Sequence, residues 1–147
     1  MTARSPRYLL DTNILLAYIR ANQTARNVEA TYGLTAGTSP ADLPLISIVT
    51  EAETRALAIR LHWGAAKVAY LNQFLRRLET VPINSQALVD AYVQIEVYSL
   101  NIGRPLGSKN DLWIAATASV TSATLLTTDR DFDHLHPRFL TRDWIAP

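Results

Sequence analysis

Cysteine is absent from the 147 residues, which excludes disulfide bridges, thiolate zinc sites and a thiol nucleophile together. Glycine is scarce, at five residues. None of them builds a G-x-G-x-x-G or G-x-x-x-x-G-K-S/T loop, so dinucleotide and nucleoside triphosphate sites of those kinds are excluded too. No apolar run approaches the roughly 20 residues that a membrane span needs. The apolar stretch near the start, from Tyr8 to Ile19, is interrupted by Asp11 and Asn13 and makes a poor secretory signal core. A cytoplasmic protein with no membrane partner is expected. Excess charge is lacking as well. Fourteen Lys and Arg against thirteen Asp and Glu leave a net +1, so any site for a polyanion must be a local patch rather than a property of the whole chain.

What is present suits one folded core. Hydrophobic residues make up 48% and charged residues 18%, and the length is close to the ~150 residues of an ordinary domain, so a single domain over 1–147 is expected. Tyr8-Leu9-Leu10 reads as a buried strand, Asp11-Thr12-Asn13 as a polar turn, and the apolar residues from Ile14 to Ile19 as a helix. Helical or irregular sequence continues to about Tyr32, followed by a loop over 33–44 rich in Gly, Thr, Ser, Ala and Pro. A second strand is expected over 45–48. Thr50 then opens a helix with Leu57 and Leu61 on one face, ending near Trp63-Gly64. Val68, Leu71, Leu75 and Leu78 follow helical spacing from Ala65, and 81–83 reads as a brief third strand. Ser85 caps a helix bearing Leu88, Ala91, Tyr92 and Ile95 that stops at Gly103. Ser108 starts another, apolar on nearly all sides over 112–120 and therefore buried. A fourth strand over 123–127 and a weak fifth near 138–140 complete the pattern. Strands alternating with helices predict an α/β fold in three layers, with a mostly parallel sheet of four to five strands flanked by helices.

Open parallel sheets bind ligands beyond the carboxyl ends of their strands. Acids stand at the corresponding places: Asp11 after strand one, Glu51 and Glu53 after strand two, Asp129 and Asp131 after strand four, and Asp111 at the start of the helix leading into it. Each has an ordinary explanation. Thr50 to Glu53 fits a capping box, Ser108 to Asp111 is close to one, and Asp11 and Asp129 suit turns or N-caps. Caps, however, need not converge, whereas these positions crowd one sheet edge. Two carboxylates at ~4 Å repel by about 4 kcal/mol at an effective dielectric of ~20, so such a cluster requires a cation or raised pKa values. Oxygen donors without thiolates suit Mg2+ or Mn2+ better than zinc. His134 and His136, in a His-x-His spacing among charged residues, read as turn histidines rather than ligands, as does His62.

Four segments, Leu9-Leu10-Asp11-Thr12-Asn13, Ile46-Ser47-Ile48-Val49-Thr50 followed by Glu53, Asn110 to Ala116, and Leu125 to Phe132, together resemble the PIN-domain ribonucleases, most closely the VapC-type toxins of type II toxin–antitoxin systems. The resemblance runs from about Tyr8 to Leu135. It implies a Mg2+- or Mn2+-dependent endoribonuclease with Asp11, Glu53, Asp111 and Asp129 as its acidic, metal-holding site, leaving 5′-phosphate and 3′-hydroxyl ends. Glu53 is preferred over Glu51, since the family's acid stands where Glu53 does, and Asp131 is a neighbour able to supplement Asp129. Asn13, Thr127 and Thr128 are supporting candidates. Arg55 and Arg60, Arg104 and Lys109, and Arg130 lie beside the acids and are candidates for RNA phosphates, Arg104 and Lys109 above the others because they flank a helix start. The resemblance also implies an RNA substrate, a homodimer and a cognate antitoxin laid in an apolar groove, for which Tyr18, Ile19, Trp63, Tyr70 and Phe74 are candidates.

Two other readings stand beside it. A magnesium-dependent phosphohydrolase of the haloacid-dehalogenase type places an Asp-x-Asp after its first strand, and Asn13 takes the second acid's place here. A PIN-like scaffold that binds RNA or protein without cleavage would have no need for repelling acids.

Overall fold

A computed structural model describes residues 7–37 and 39–147, so the first six residues of the expected domain and Thr38 of the expected loop lie outside it. Strand β1 (Tyr8–Leu10) buries Leu9 and Leu10 completely. The chain then turns at Asp11, whose carboxylate accepts from the Thr12 N–H, into α1 (Thr12–Arg20). Ala21, in the left-handed region at φ 50°, stops that helix. The Asn22 side chain caps α2 (Gln23–Tyr32), and Gly33 at φ 59° ends it. A short 3-10 turn, Pro40–Asp42, lies in the loop before β2 (Leu45–Ser47). Helices α3 (Ile48–Arg60) and α4 (Ala65–Leu75) lead to β3 (Glu79–Val81). Next come α5 (Gln86–Asn101), capped by Ser85, α6 (Lys109–Thr121), capped by Ser108, and β4 (Thr124–Thr127). A second 3-10 turn, Arg130–Leu135, precedes β5 (Thr141–Trp144).

The five strands form one parallel sheet in the order β3-β2-β1-β4-β5. The chain winds outward from β1 through β2 to β3, then returns to β4 on the other side of β1. Strand order therefore reverses between β1 and β4, the place where open parallel sheets leave a crevice. Because successive side chains point to opposite faces, Leu10, Ile46 and Leu126 join one core with α1, α2 and α4. Leu9, Leu45 and Leu125 join the other, with α5, α6 and the second 3-10 turn. The expected three layers and parallel sheet are present. No helix among the described residues is long and apolar enough to cross a membrane.

Several expected boundaries are displaced. Helix α3 begins at Ile48, not Thr50, because the Ser47 hydroxyl caps it by accepting from the Val49 N–H at 3.2 Å. Thr50 is consequently inside the helix and fully buried, so the Thr50–Glu53 capping box does not exist, and Leu61 is exposed rather than on a buried face. Strand β3 ends at Val81, just before Pro82, which has no N–H for a ladder. Strand β5 lies at Thr141–Trp144 instead of 138–140, and Val120, at the end of α6, is exposed. Tyr18, Ile19 and Phe74 are buried in the core, with the Tyr18 and Phe74 rings 5.2 Å apart, and so form no part of an open groove.

Candidate active site

The reversal point gathers the acids. Asp11, at the carboxyl end of β1, is buried and held from two sides: Oδ1 accepts from the Thr12 N–H at 2.8 Å, and Oδ2 accepts from the Thr127 hydroxyl at 2.7 Å. The Thr127 oxygen in turn accepts from the Asp129 N–H at 2.9 Å, and the Asp129 carboxylate caps the following 3-10 turn by accepting from the Asp131 N–H at 2.8 Å. Across the cleft, the Thr12 hydroxyl donates to Glu53 Oε1 at 3.0 Å and lies 3.1 Å from the Thr50 hydroxyl. Asp111 enters from the first turn of α6, placed by the Ser108 cap on its N–H at 3.2 Å. One cleft of about 470 Å³ is lined by Asp11, Glu53, Asp111 and Asp129 together with Asn13, Asn110 and Arg60. The acids at caps are thus also acids that converge.

The charge balance reflects that crowding. Burial first, then the charges of Asp129 and Glu53, push the Asp11 carboxyl up from 3.8 to about 6, against the opposing hydrogen bonds from Thr127 and Thr12. Asp111 also rises to about 6, through burial and the charges of Asp11 and Asp129. Among the described residues no three His, Cys, Asp or Glu side chains are already drawn into one metal cage, so the acids ring the cleft rather than meet at a point. The donor chemistry nevertheless fits a hard divalent cation. Every donor lining the cleft besides Arg60 offers oxygen, and the mutual repulsion is what a cation relieves. Gly107 leaves room at the rim, since a Cβ there would lie 3.2 Å from Asp131 Oδ2 and 3.5 Å from Asp111 Oδ2.

The remaining candidates are distributed around this cleft. Asp131 stands at the Gly107 rim and is not among the cleft-lining residues. Glu51 faces Arg55 at 3.5 Å, outside the cleft. Thr128 contributes its carbonyl, which accepts from the Trp144 indole. Of the cations, Arg60 lines the cleft. Arg55 hydrogen-bonds Asn72, Lys109 pairs with Glu96 at 2.6 Å, and Arg130 lies over the Trp144 ring at 3.8 Å while approaching Asp133. Arg104 is exposed near His134. His134 hydrogen-bonds Ser99 at 2.8 Å and His136 accepts from the Arg142 N–H, as turn histidines do. Thr12, Thr50 and Gly107 belong to the site without any mark in the sequence. An acid at a strand end is visible as a charge in an apolar pattern, but a hydroxyl turned inward leaves no such mark.

Comparison with known proteins places this geometry. The PIN domain family model matches residues 8–136. No curated protein sequence matches the chain. Among solved structures, VapBC2 from Rickettsia felis bound to a promoter DNA fragment is similar in fold, with 24% identity, a TM-score of 0.76 and coverage of 95% of this chain and 98% of that one. VapBC-1 from nontypeable Haemophilus influenzae is 25% identical with a TM-score of 0.73, covering 93% and 96%. FitAcB from Neisseria gonorrhoeae is also 25% identical, with a TM-score of 0.70 and coverage of 92% and 95%. With the family model spanning β1 through the turn after β4, and the acids at the carboxyl edge of a β3-β2-β1-β4-β5 sheet, the chain belongs to the PIN-domain family.

Proposed function

We propose that the chain is a divalent-metal-dependent endoribonuclease and the toxin of a toxin–antitoxin pair. The observation that carries the reading is the convergence of Asp11, Glu53, Asp111 and Asp129 on one cleft, where burial and mutual charge hold two of the carboxyls near 6. The similarity to VapBC complexes supports the toxin role and a cognate antitoxin. In this reading the four acids hold Mg2+ or Mn2+. When bound, the ion supplies charge to polarise the scissile phosphate and to activate an attacking water. The chain's own residues supply the rest. Thr127 and Thr12 fix the Asp11 and Glu53 carboxylates, so little reorganisation is needed when the substrate arrives. Arg60 offers the guanidinium that meets an RNA phosphate in an otherwise acidic cleft, and the Asn13 and Asn110 amides line the same space. Asp131 at the rim is placed to supplement Asp129.

For the antitoxin, Trp63 is the retained groove candidate. It lines a separate groove of about 380 Å³ between α3 and α4 with Ile59, Val68 and Leu71, and Tyr70 is exposed nearby on α4. The phosphohydrolase reading has Asn13 where its second acid belongs, and a binding scaffold leaves the repelling carboxylates without a purpose.

The test is incubation of the purified chain with mixed cellular RNA and Mg2+ or Mn2+, with chelator and Asp111→Asn as controls. Cleavage that requires both the metal and Asp111 is expected. A folded protein that cleaves equally with chelator or with Asn at position 111 would overturn the reading.

A further inference from the structure

A second cavity adjoins the acidic cleft across the first turn of α6. Asn110 and Asp111 line the cleft, whereas Lys109 and Leu112, from the same turn, line a pocket of about 320 Å³ beside it. Gly107 belongs to that pocket and stands against the Asp111 and Asp131 carboxylates, so it forms part of the partition. The C-terminal half of α5 supplies the opposite wall. The Arg104 N–H donates to the Ser99 carbonyl at 2.8 Å, folding the chain after Gly103 back over the end of that helix. Leu100, Pro105, Leu106 and Leu112 make the sides apolar. Two polar features interrupt them. Ser99 is 1% exposed, and its hydroxyl bonds His134 Nε2 at 2.8 Å. Glu96 and Lys109 pair at 2.6 Å on the side open to solvent. Apolar walls with a few placed polar groups are the ordinary form of a small-ligand site. The volume is near the lower end of the roughly 300–1,000 Å³ of such sites, enough for one flat ring system.

We propose that this pocket receives a guanine base from the RNA strand whose phosphate lies in the cleft, and that Glu96 and Lys109 select it. The source of the base rests on the nuclease reading above; the preference for guanine does not. Only the first turn of α6 separates the two spaces, so a strand held at the acids has a neighbouring base within reach of the pocket. Single-stranded RNA is read through unstacked bases that are slotted against side chains and hydrogen-bonded along their edges. A carboxylate beside an ammonium matches an edge with two adjacent donors next to an acceptor. Guanine has that edge in N2–H, N1–H and O6. Adenine sets its N1 acceptor against the carboxylate, cytosine offers the N4 amino group but follows it with an acceptor, and uracil has a single donor between two acceptors. The ion pair is exposed and contributes little to the fold, so its groups can turn to a ligand. The Glu96 carboxylate also repels a phosphate, which suits the pocket to a base rather than to the backbone.

The test is an NMR titration of the full chain with the 5′-monophosphates of guanosine, adenosine, cytidine and uridine, and with inorganic phosphate. Chelator is present throughout, so that no metal draws a phosphate into the cleft. The amide signals of Ser99, Leu106 and Ser108 are expected to move saturably with the guanosine nucleotide, at about tenfold lower concentration than with the adenosine nucleotide, and to ignore inorganic phosphate. Glu96→Gln is expected to bring the two purines within about twofold of each other while the circular dichroism stays unchanged. No shift at those residues, an equal response to all four nucleotides, a response to phosphate alone, or a guanine preference that survives Glu96→Gln would overturn the proposal. Sequencing of fragment ends supplies the link to RNA: wild type is expected to leave guanine enriched at one fixed position beside the cut, and Glu96→Gln to lose the enrichment. Cleavage without that enrichment would overturn the RNA source of the base. Absence of any cleavage would instead overturn the nuclease reading, with the titration alone deciding for or against a guanine site.

Discussion

Asp11 is an acid kept where an acid is costly. Its carboxyl near 6 lies above the ordinary 3.8, and Asp111 shares that elevation. Between those values the folded chain retains protons that the unfolded chain releases. The stabilising contribution of both groups is therefore fully present below about pH 4 and lost as pH rises through about 6. Asp111→Asn removes one of the repelling charges, so its thermal midpoint is expected to fall less than wild type's between pH 4.5 and 7.5. An identical pH dependence in both proteins would count against mutual repulsion in the cleft. In the proposed function Arg60, the cation lining the cleft, has the opposite task. Arg60→Ala is expected to weaken RNA binding and to reduce the logarithmic salt slope by about 0.7, as loss of one contact to a single strand does. Titrations at several salt concentrations measure that slope, and Arg60→Lys should largely restore it.

Helix starts decide where the acids point. Ser108 and Ser85 cap neighbouring helices with hydroxyls at the same distance from their acceptor-seeking N–H groups, 3.2 Å. Either Ser→Ala change should cost about 1 kcal/mol in denaturant unfolding. Only Ser108→Ala should also slow cleavage, because the N–H it holds is that of Asp111. The helices most legible in the sequence, α5 and α6, are those with a serine cap followed by a sustained apolar face. The start of helix α3 is hidden in the sequence because Ile46 to Thr50 carries β-branched residues that look like a continuing strand, and the Ser47 cap lies inside that run. Strand β5 was displaced because Thr-Arg-Asp-Trp has no apolar alternation. It is held by its ladder to β4 and by the Tyr32 hydroxyl donating to Asp143. The acids were readable as charges at element ends. The preference for Arg104 and Lys109 came from their position beside a helix start, and sequence position does not reveal that Lys109 reaches Glu96 instead.

At the scale of the molecule, the site belongs to the topology rather than to any one segment. Thr127 on β4 holds Asp11 after β1, two residues 116 positions apart that the strand order makes neighbours. Thr127→Val keeps the side chain's shape and removes a bond to a charged group across the reversal point. Denaturant unfolding at pH 8 should show a loss of about 1.5–3 kcal/mol, and a change near zero would mean that the hydroxyl holds nothing in place. The same strand order has a consequence in time. A ribosome releases β1 and Asp11 well before their partner strand β4 and Asp129. Until β4 has emerged the nascent polypeptide lacks a complete cleft, so the acids of the site assemble only after that strand has been made.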